Sequence, residues 1–278
     1  MSLPFWRRFR PEVLVPVRGR TMRIDLRDGI ISRLLYLEGN YEGYLLDMVH
    51  QLMLTGANCL DIGANIGLYS LELSGAVGPS GRVFAFEPER HNHELLTTNL
   101  RLNGATNVEA VKTVVGDRNG QVCLARHPDN FGDHHVVDRE SNWAEEVPVE
   151  TIDAFCAKRV IDNIAFAKID VQGYEPFVLS GMAETVRKNP DLMVLVEIWP
   201  DGLARQGRSA SELIASFRDY GFVGYELHDW RVIPVLEPRT YDHIRFGRSV
   251  DCLFCRQRDK LEETVFWYLG GTAVSKTP

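Results

Sequence analysis

The chain has 278 residues, 31 basic against 38 acidic side chains, a net charge of −7 and 45% apolar residues. At roughly 150 residues per domain this allows about two domains or one long α/β domain, and the apolar share excludes a fibrous or disordered chain. The acidic balance argues against general nucleic-acid binding, which wants a basic face, and no run of about 18 uncharged apolar residues marks a spanning helix.

Residues 1–40 read as an arm of short accessory strands. Val13–Val17 is apolar, Arg18-Gly19-Arg20 turns and Thr21–Leu26 alternates. Asp28-Gly29 is a turn signal before the apolar stretch Ile30–Leu37. The start carries Arg7, Arg8 and Arg10 before any apolar run, unlike a secretory signal. Phe5-Trp6-Arg7-Arg8-Phe9-Arg10 mixes aromatic and basic residues as interfacial anchors do, although its shortness favours a simple unstructured start. Tyr41–Leu54 has helical spacing in Leu45, Met48, Val49 and Leu52.

From residue 57 strands and helices alternate. Strands are expected at Cys59–Ile62, Arg82–Phe86, Val108–Val115, Ile164–Asp170 and Leu192–Ile198. Helices are expected at Leu68–Val77, Glu89–Asn103, Tyr174–Arg187 and Ser209–Tyr220. The strands are apolar on both faces, as in a parallel sheet covered by helices. The repeated units predict a doubly wound, Rossmann-like α/β fold over about 41–256. Gly116–Pro148 breaks the alternation with a polar stretch, so an insertion is placed at about 117–148, either functional or a solvated hairpin. Residues 257–278 read as a frayed tail. The five cysteines are odd in number and scattered, which speaks against a disulfide framework and for a reducing cytoplasm. Cys252-x-x-Cys255 lacks a second pair at zinc spacing and reads as part of a late buried strand.

The main motif is Asp61-Ile62-Gly63-Ala64-Asn65-Ile66-Gly67-Leu68, between a strand and a helix. Its glycines allow a tight turn and close approach to a ligand. A dinucleotide loop wants G-x-G-x-x-G, but Asn65 stands at the second glycine. Asp61 would repel a pyrophosphate and attract a cationic sulfonium and ammonium, the pair of cations in S-adenosylmethionine. Glu87 ends the second strand 24 residues after Gly63, where an acid accepts hydrogen bonds from ribose hydroxyls.

These residues, with FEP at 86–88, KIDVQGYE at 168–175, Val149–Asp153 and Leu195-Val196-Glu197, make the chain resemble class I S-adenosylmethionine-dependent methyltransferases, and among them the FkbM family. The resemblance spans about residues 40–256. It implies a seven-stranded sheet with its last strand antiparallel, and methyl transfer to an oxygen of a sugar, polyketide or lipid. It places Asp61, Gly63, Asn65 and Gly67 around the methionine part, Glu87 on the ribose and Asp117 toward the adenine. Gly-Asp-Arg-Asn-Gly at 116–120 also reads as a plain turn. Where the family usually shows Glu, this chain has Gln172.

An alcohol needs a base, or a metal, to become a nucleophile. Ligands in such sheets bind beyond the carboxyl ends of the strands. Asp170, Glu175 and Glu197 fall there, and adjacent strands bring Asp170 and Glu197 together, to share one raised pKa or to hold a cation. Asp170 doubles as a cofactor contact. Lys168 shares a strand face with Asp170, either ordering the strand end or tuning the acid. Two carboxylates could also hold Mg²⁺, although no tighter cluster supports it. His134 is a candidate helper in the insertion, and His228-Asp229-Trp230 a second one; exposed loop histidines are the plainer reading of both.

The reading is an S-adenosylmethionine-dependent O-methyltransferase acting on a hydroxyl of a sugar, glycolipid or secondary metabolite. It is expected to be cytoplasmic, without a transmembrane segment or nucleic-acid partner, and a homo-oligomer is compatible with it. The alternatives are a methyltransferase-fold binding protein without catalysis and a nicotinamide-dependent oxidoreductase.

Overall fold

The structure is a computed structural model that describes residues 11–137, 144–228, 231–234 and 248–257; for 228 and 231–234 it describes the backbone. The anchor-like start, the tail from 258 and Asp229-Trp230 lie outside the described residues.

A hairpin opens the chain, β1 (Glu12–Val17) with β2 (Arg20–Asp25), turning at Arg18 and Gly19, whose φ values are 47° and 78°. The next apolar stretch is not a strand. It forms helix α1 (Ile31–Glu38). Asp28 decides this: its Oδ2 accepts from Ser32 N at 2.7 Å and its Oδ1 from Ile30 N at 3.2 Å, which satisfies first-turn donors. Helix α2 (Gly43–Gln51) lies within the expected Tyr41–Leu54.

The doubly wound part follows the reading closely. It runs β3 (Asn58–Ile62), α3 (Leu68–Val77), β4 (Arg82–Phe86), α4 (Arg90–Leu102) and β5 (Val108–Val111). The expected strand Val108–Val115 breaks after Val111, and Val114–Val115 (β6) joins a different sheet. That second sheet is the insertion: β6, β7 (Gly120–Ala125), β8 (His135–Val137) and β9 (Ala144–Glu150), in the order β6-β9-β7-β8. After α5 (Ile152–Arg159) come β10 (Ile164–Ile169), α6 (Glu175–Ser180), α7 (Ala183–Lys188), β11 (Met193–Ile198), α8 (Pro200–Arg205) and α9 (Ala210–Asp219). The single helix expected at Tyr174–Arg187 is two. They separate at Gly181, where a Cβ would lie 1.8 Å from Gly116 O. The chain then adds β12 (Val223–His228), β13 (Arg231–Pro234) and β14 (Val250–Cys255).

The main sheet has the order β13-β12-β14-β11-β10-β3-β4-β5. β14 enters antiparallel between β11 and β12, and the other strands from β12 to β5 run parallel to one another. This is the seven-stranded sheet with an antiparallel last strand, extended by β13 as a hairpin edge. Cys252 and Cys255 are buried in β14, as the plain reading holds. Strand alternation sends Cys59 into the core beneath the arm and α2–α4, and Leu60 into the core beneath α5–α7 and α9. Both faces are therefore covered, and the polar groups gather at the carboxyl ends of β3, β4, β10 and β11. No helix among the described residues is long and apolar enough to cross a membrane.

Candidate active site

A cavity of about 380 Å³ opens at those strand ends. One side is made by the loop after β3. Gly63, at φ 83°, passes so close to β10 that a Cβ would lie 1.8 Å from Asp170 O. Asn65 is also left-handed, at φ 50°. Its backbone N–H donates to Glu87 Oε2 at 2.8 Å, and Glu89 N–H donates to Glu87 Oε1 at 2.9 Å. Glu87 is buried in the cavity wall, and burial pushes its carboxyl up to about 8 despite the two donors.

The other side gathers acids around one cation. Lys168 Nζ lies 3.1 Å from Asp170 Oδ2 and 4.6 Å from the centre of the Tyr69 ring. Gln172 Nε2 donates to Asp170 Oδ1 at 2.8 Å and to Glu197 Oε2 at 3.1 Å. Tyr69 OH donates to Glu42 Oε2 at 2.8 Å, and Tyr44 OH to Asp251 Oδ2 at 3.2 Å. Burial alone would lower the Lys168 ammonium, but Asp170, Asp61 and Glu42 outweigh it and hold it above the usual lysine range. Glu197 is pushed well above the carboxylate range by burial, then by Asp170 and Asp251. Burial raises Glu42 against the pull of Lys168, and it raises Asp251 to about 8. More carboxyls than cations meet here, so part of the cluster is protonated at neutral pH.

Of the sequence candidates, Gly63, Asn65, Glu87, Lys168, Asp170, Glu197 and His134 line the cavity. Three do not. Asp61 lies beneath it, fully buried, opposite Lys168 in the β3–β10 register, and accepts from Ser70 Oγ at 2.5 Å. Its Oδ1 has no hydrogen-bond partner, and burial raises its carboxyl against the pull of Lys168. Gly67 packs on α4, where a Cβ would lie 2.7 Å from Leu96 Cδ1. Asp117 sits outside, 3.1 Å from Arg118 Nη1, in the turn that its sequence also suggests. Glu175 Oε1 accepts from Val171 N and Gly173 N at 3.1 Å each, so it closes the turn before α6. His134 stacks on Phe131 at 5.9 Å, and burial lowers its imidazole. His127 N–H donates to its Nδ1 at 3.1 Å, and the charged groups acting on it are Glu89, Arg126, Asp133 and His127. The His228 side chain lies outside the described residues.

Asp170 and Glu197, the pair offered to a divalent ion, are bridged by the Gln172 amide. Among the described residues the grouping with metal-ligand spacing is Glu12, Asp25 and His91 on the arm, where Asp25 already pairs with Arg27 and His91.

Tyr41 and Glu42 were missed. They carry no motif and stand about 20 residues before the glycine loop, and only the fold brings them into the cavity wall. The insertion was legible as a break in pattern but not as a strap. Its Phe131 carbonyl accepts from Asn65 Nδ2 at 3.0 Å and Asn92 Nδ2 at 2.8 Å, and its backbone reaches Asp28 and Gly29.

Strand order, a glycine loop after the first strand of the sheet and an acid ending the second define a class I methyltransferase. The Methyltransferase FkbM domain model matches residues 61–223, and the chain belongs to this family. Its methyl donor is S-adenosylmethionine, which replaces the nicotinamide alternative. The chain is 29% identical over 181 residues to Methyltransferase sdnD of Sordaria araneosa, covering 53% of this chain and 68% of that protein. A SAM dependent methyltransferase from Aquifex aeolicus superposes with TM-score 0.45 at 16% identity, over 82% of this chain and 93% of that one. A SAM-dependent O-methyltransferase from Thermotoga maritima gives 0.42 at 14%, over 89% and 80%. The family match, and not these distant likenesses, places the chain.

Proposed function

We propose that this methyltransferase acts on oxygen, at a hydroxyl of a sugar, glycolipid or secondary metabolite, with Asp170 as the base. The observation that carries this is the grip on Asp170: Lys168 on one carboxylate oxygen and Gln172 on the other, at the cavity wall. A carboxylate held this way accepts a proton in a fixed direction.

The residues present fit S-adenosylmethionine, which supplies a methyl group on a sulfonium. Glu87 uses its remaining lone pairs for ribose hydroxyls, with Asn65 and Gly63 shaping the loop beside it. The carboxylates Glu42 and Asp170 offset the positive charge. Glu197, protonated, donates to the acceptor and does not compete as a base. Lys168 pairs with Asp170 and holds its carboxylate in place. His134 is part of the strap.

The test has two arms. Thermal unfolding with S-adenosylhomocysteine beside NAD is expected to show a shift with the first alone. A ligand at about 100 times its Kd adds about 2.7 kcal/mol, several degrees for a protein of this size. Asp170→Asn is then expected to lower turnover by about 10²–10⁴-fold with S-adenosylhomocysteine still bound. Turnover within about tenfold of the parent removes the base assignment. Retained binding with no turnover of any hydroxyl acceptor by the parent protein favours a binding protein.

A further inference from the structure

Six non-glycine residues of the described chain hold a left-handed backbone, and three of them, Glu42, Asn65 and Gln172, line the same cavity. That conformation costs of order 1 kcal/mol or more in a residue with a Cβ and persists where the surroundings impose it. At Gln172 the imposition is visible. The next residue, Gly173, has φ 103°, and a Cβ there would lie 2.1 Å from Gly202 O. The backbone is wedged between β10 and α8, and the Gln172 side chain reaches between the ends of β10 and β11.

An amide nitrogen has two hydrogens. Here one goes to Asp170 Oδ1 at 2.8 Å and the other to Glu197 Oε2 at 3.1 Å. The amide cannot usefully flip, because its oxygen would then face two carboxyl oxygens. Lys168 Nζ holds the other oxygen of Asp170 at 3.1 Å. Around this bridge stand Asp61 from β3, Glu42 and Tyr41 from the entry to α2, and Ser249 and Asp251 at the start of β14. Lys168 is the cation among them.

We propose that Gln172 is a positioning residue, a neutral spacer whose amide holds the Asp170 and Glu197 carboxyls apart and aims both at the acceptor hydroxyl. This rests on the methyl-transfer reading above. Without the amide the two acids are free to meet over one shared proton, as close carboxyl pairs do. Asp170 would then turn its lone pair to Glu197 and not to the acceptor. An acid of the same length at 172 would bring a third carboxyl with at most one donor, and could not bond both acids at once as the amide does.

The experiment uses the full chain with S-adenosylhomocysteine and 15N-labelled glutamine side chains. The expected NMR signature is one side-chain amide with both protons shifted downfield, absent in Gln172→Met. One of its protons moves in Asp170→Asn and the other in Glu197→Gln. Amide signals at ordinary solvent-exposed positions, or signals indifferent to both substitutions, overturn the bridge. In turnover, Gln172→Met and Gln172→Ala are expected to lower kcat by about 10–100-fold, the cost of a misplacement near 1 Å, with affinity for S-adenosylhomocysteine within about twofold. Unchanged kcat, or equal losses in kcat and affinity, overturns the positioning role. If S-adenosylhomocysteine binds no variant and not the parent, while the amide signature stands, the donor reading fails and the bridge survives.

Discussion

Glu175 is buried with one oxygen on two backbone N–H groups and the other, Oε2, without a partner. Burial pushes its carboxyl up to about 7. A carboxyl raised on folding favours the protonated folded state. Its contribution is complete below the unfolded value, near 4.5, and is lost as pH rises through about 7. Glu87 and Asp251, both near 8, act in the same direction. The free protein should therefore lose several degrees of Tm between pH 5 and 8, and Glu175→Gln should flatten the part between 5 and 7. Calorimetry at four pH values checks this, and equal slopes for the two proteins contradict it. Gly63→Ala is the harsher change, because φ 83° and a Cβ 1.8 Å from Asp170 O both forbid a side chain. It should cost about 2 kcal/mol or more and abolish the shift with S-adenosylhomocysteine. The places of Gly63 and Glu87 at the cavity were legible because their types and spacing mark the ends of two neighbouring strands. The placement of Asp61 was not, since a strand-end acid reads the same in a line of letters whether it faces a ligand or a lysine on the next strand.

The helices and strands of the doubly wound part were legible almost to the residue, because caps and apolar runs agree there. Ser209, for example, closes a capping box with Glu212. Ile30–Leu37 misled because a short apolar run suits either period, and Asp28 is the side chain that decides it. Val108–Val115 misled because the split between two sheets depends on β9, which pairs with β6 from 35 residues downstream at Val114↔Val149. The strap between β7 and β8 shows what such pairing produces. Phe131 O gathers two asparagine donors, Phe131 N bonds to Asp28, and Arg205 holds Asp133 at 2.9 Å. The strap thus ties the arm, α4, the Gly63 loop and α8 around the cavity. Asn92→Ala removes one donor at a buried carbonyl, at a cost of about 1–2 kcal/mol. Hydrogen exchange is expected to quicken over residues 126–135 while β3 and β10 stay protected. Unchanged exchange there would mean that Asn65, Asp28 and Arg205 secure the strap without Asn92.

The arm looks separable in the sequence, yet the molecule has built it into the core. Val17, Met22, Ile24, Leu26 and Leu35 share one buried cluster with Cys59, Val83 and Phe166 of the main sheet. Asn99 of α4 binds the Arg23 backbone in both directions, through Arg23 N at 2.6 Å and Arg23 O at 3.1 Å, and Asn103 does the same for Thr21. Glu72 of α3 collects Arg18, Arg20 and His50, and Arg20 and His50 lower its carboxyl despite burial. The segment that follows delivers Tyr41 and Glu42 to the cavity. Separate folding of the arm would leave that cluster open on both sides, and at about 25 cal/mol per Å² of apolar surface neither side could offset the loss. The expected result is a single calorimetric transition in which arm and sheet unfold together, with S-adenosylhomocysteine shifting the whole of it. Removal of residues 1–40 should give a chain that neither melts cooperatively nor binds that ligand. Two resolved transitions, with the ligand moving only the later one, would instead make the arm an independent unit, and Glu42 would then reach the cavity without the arm's help.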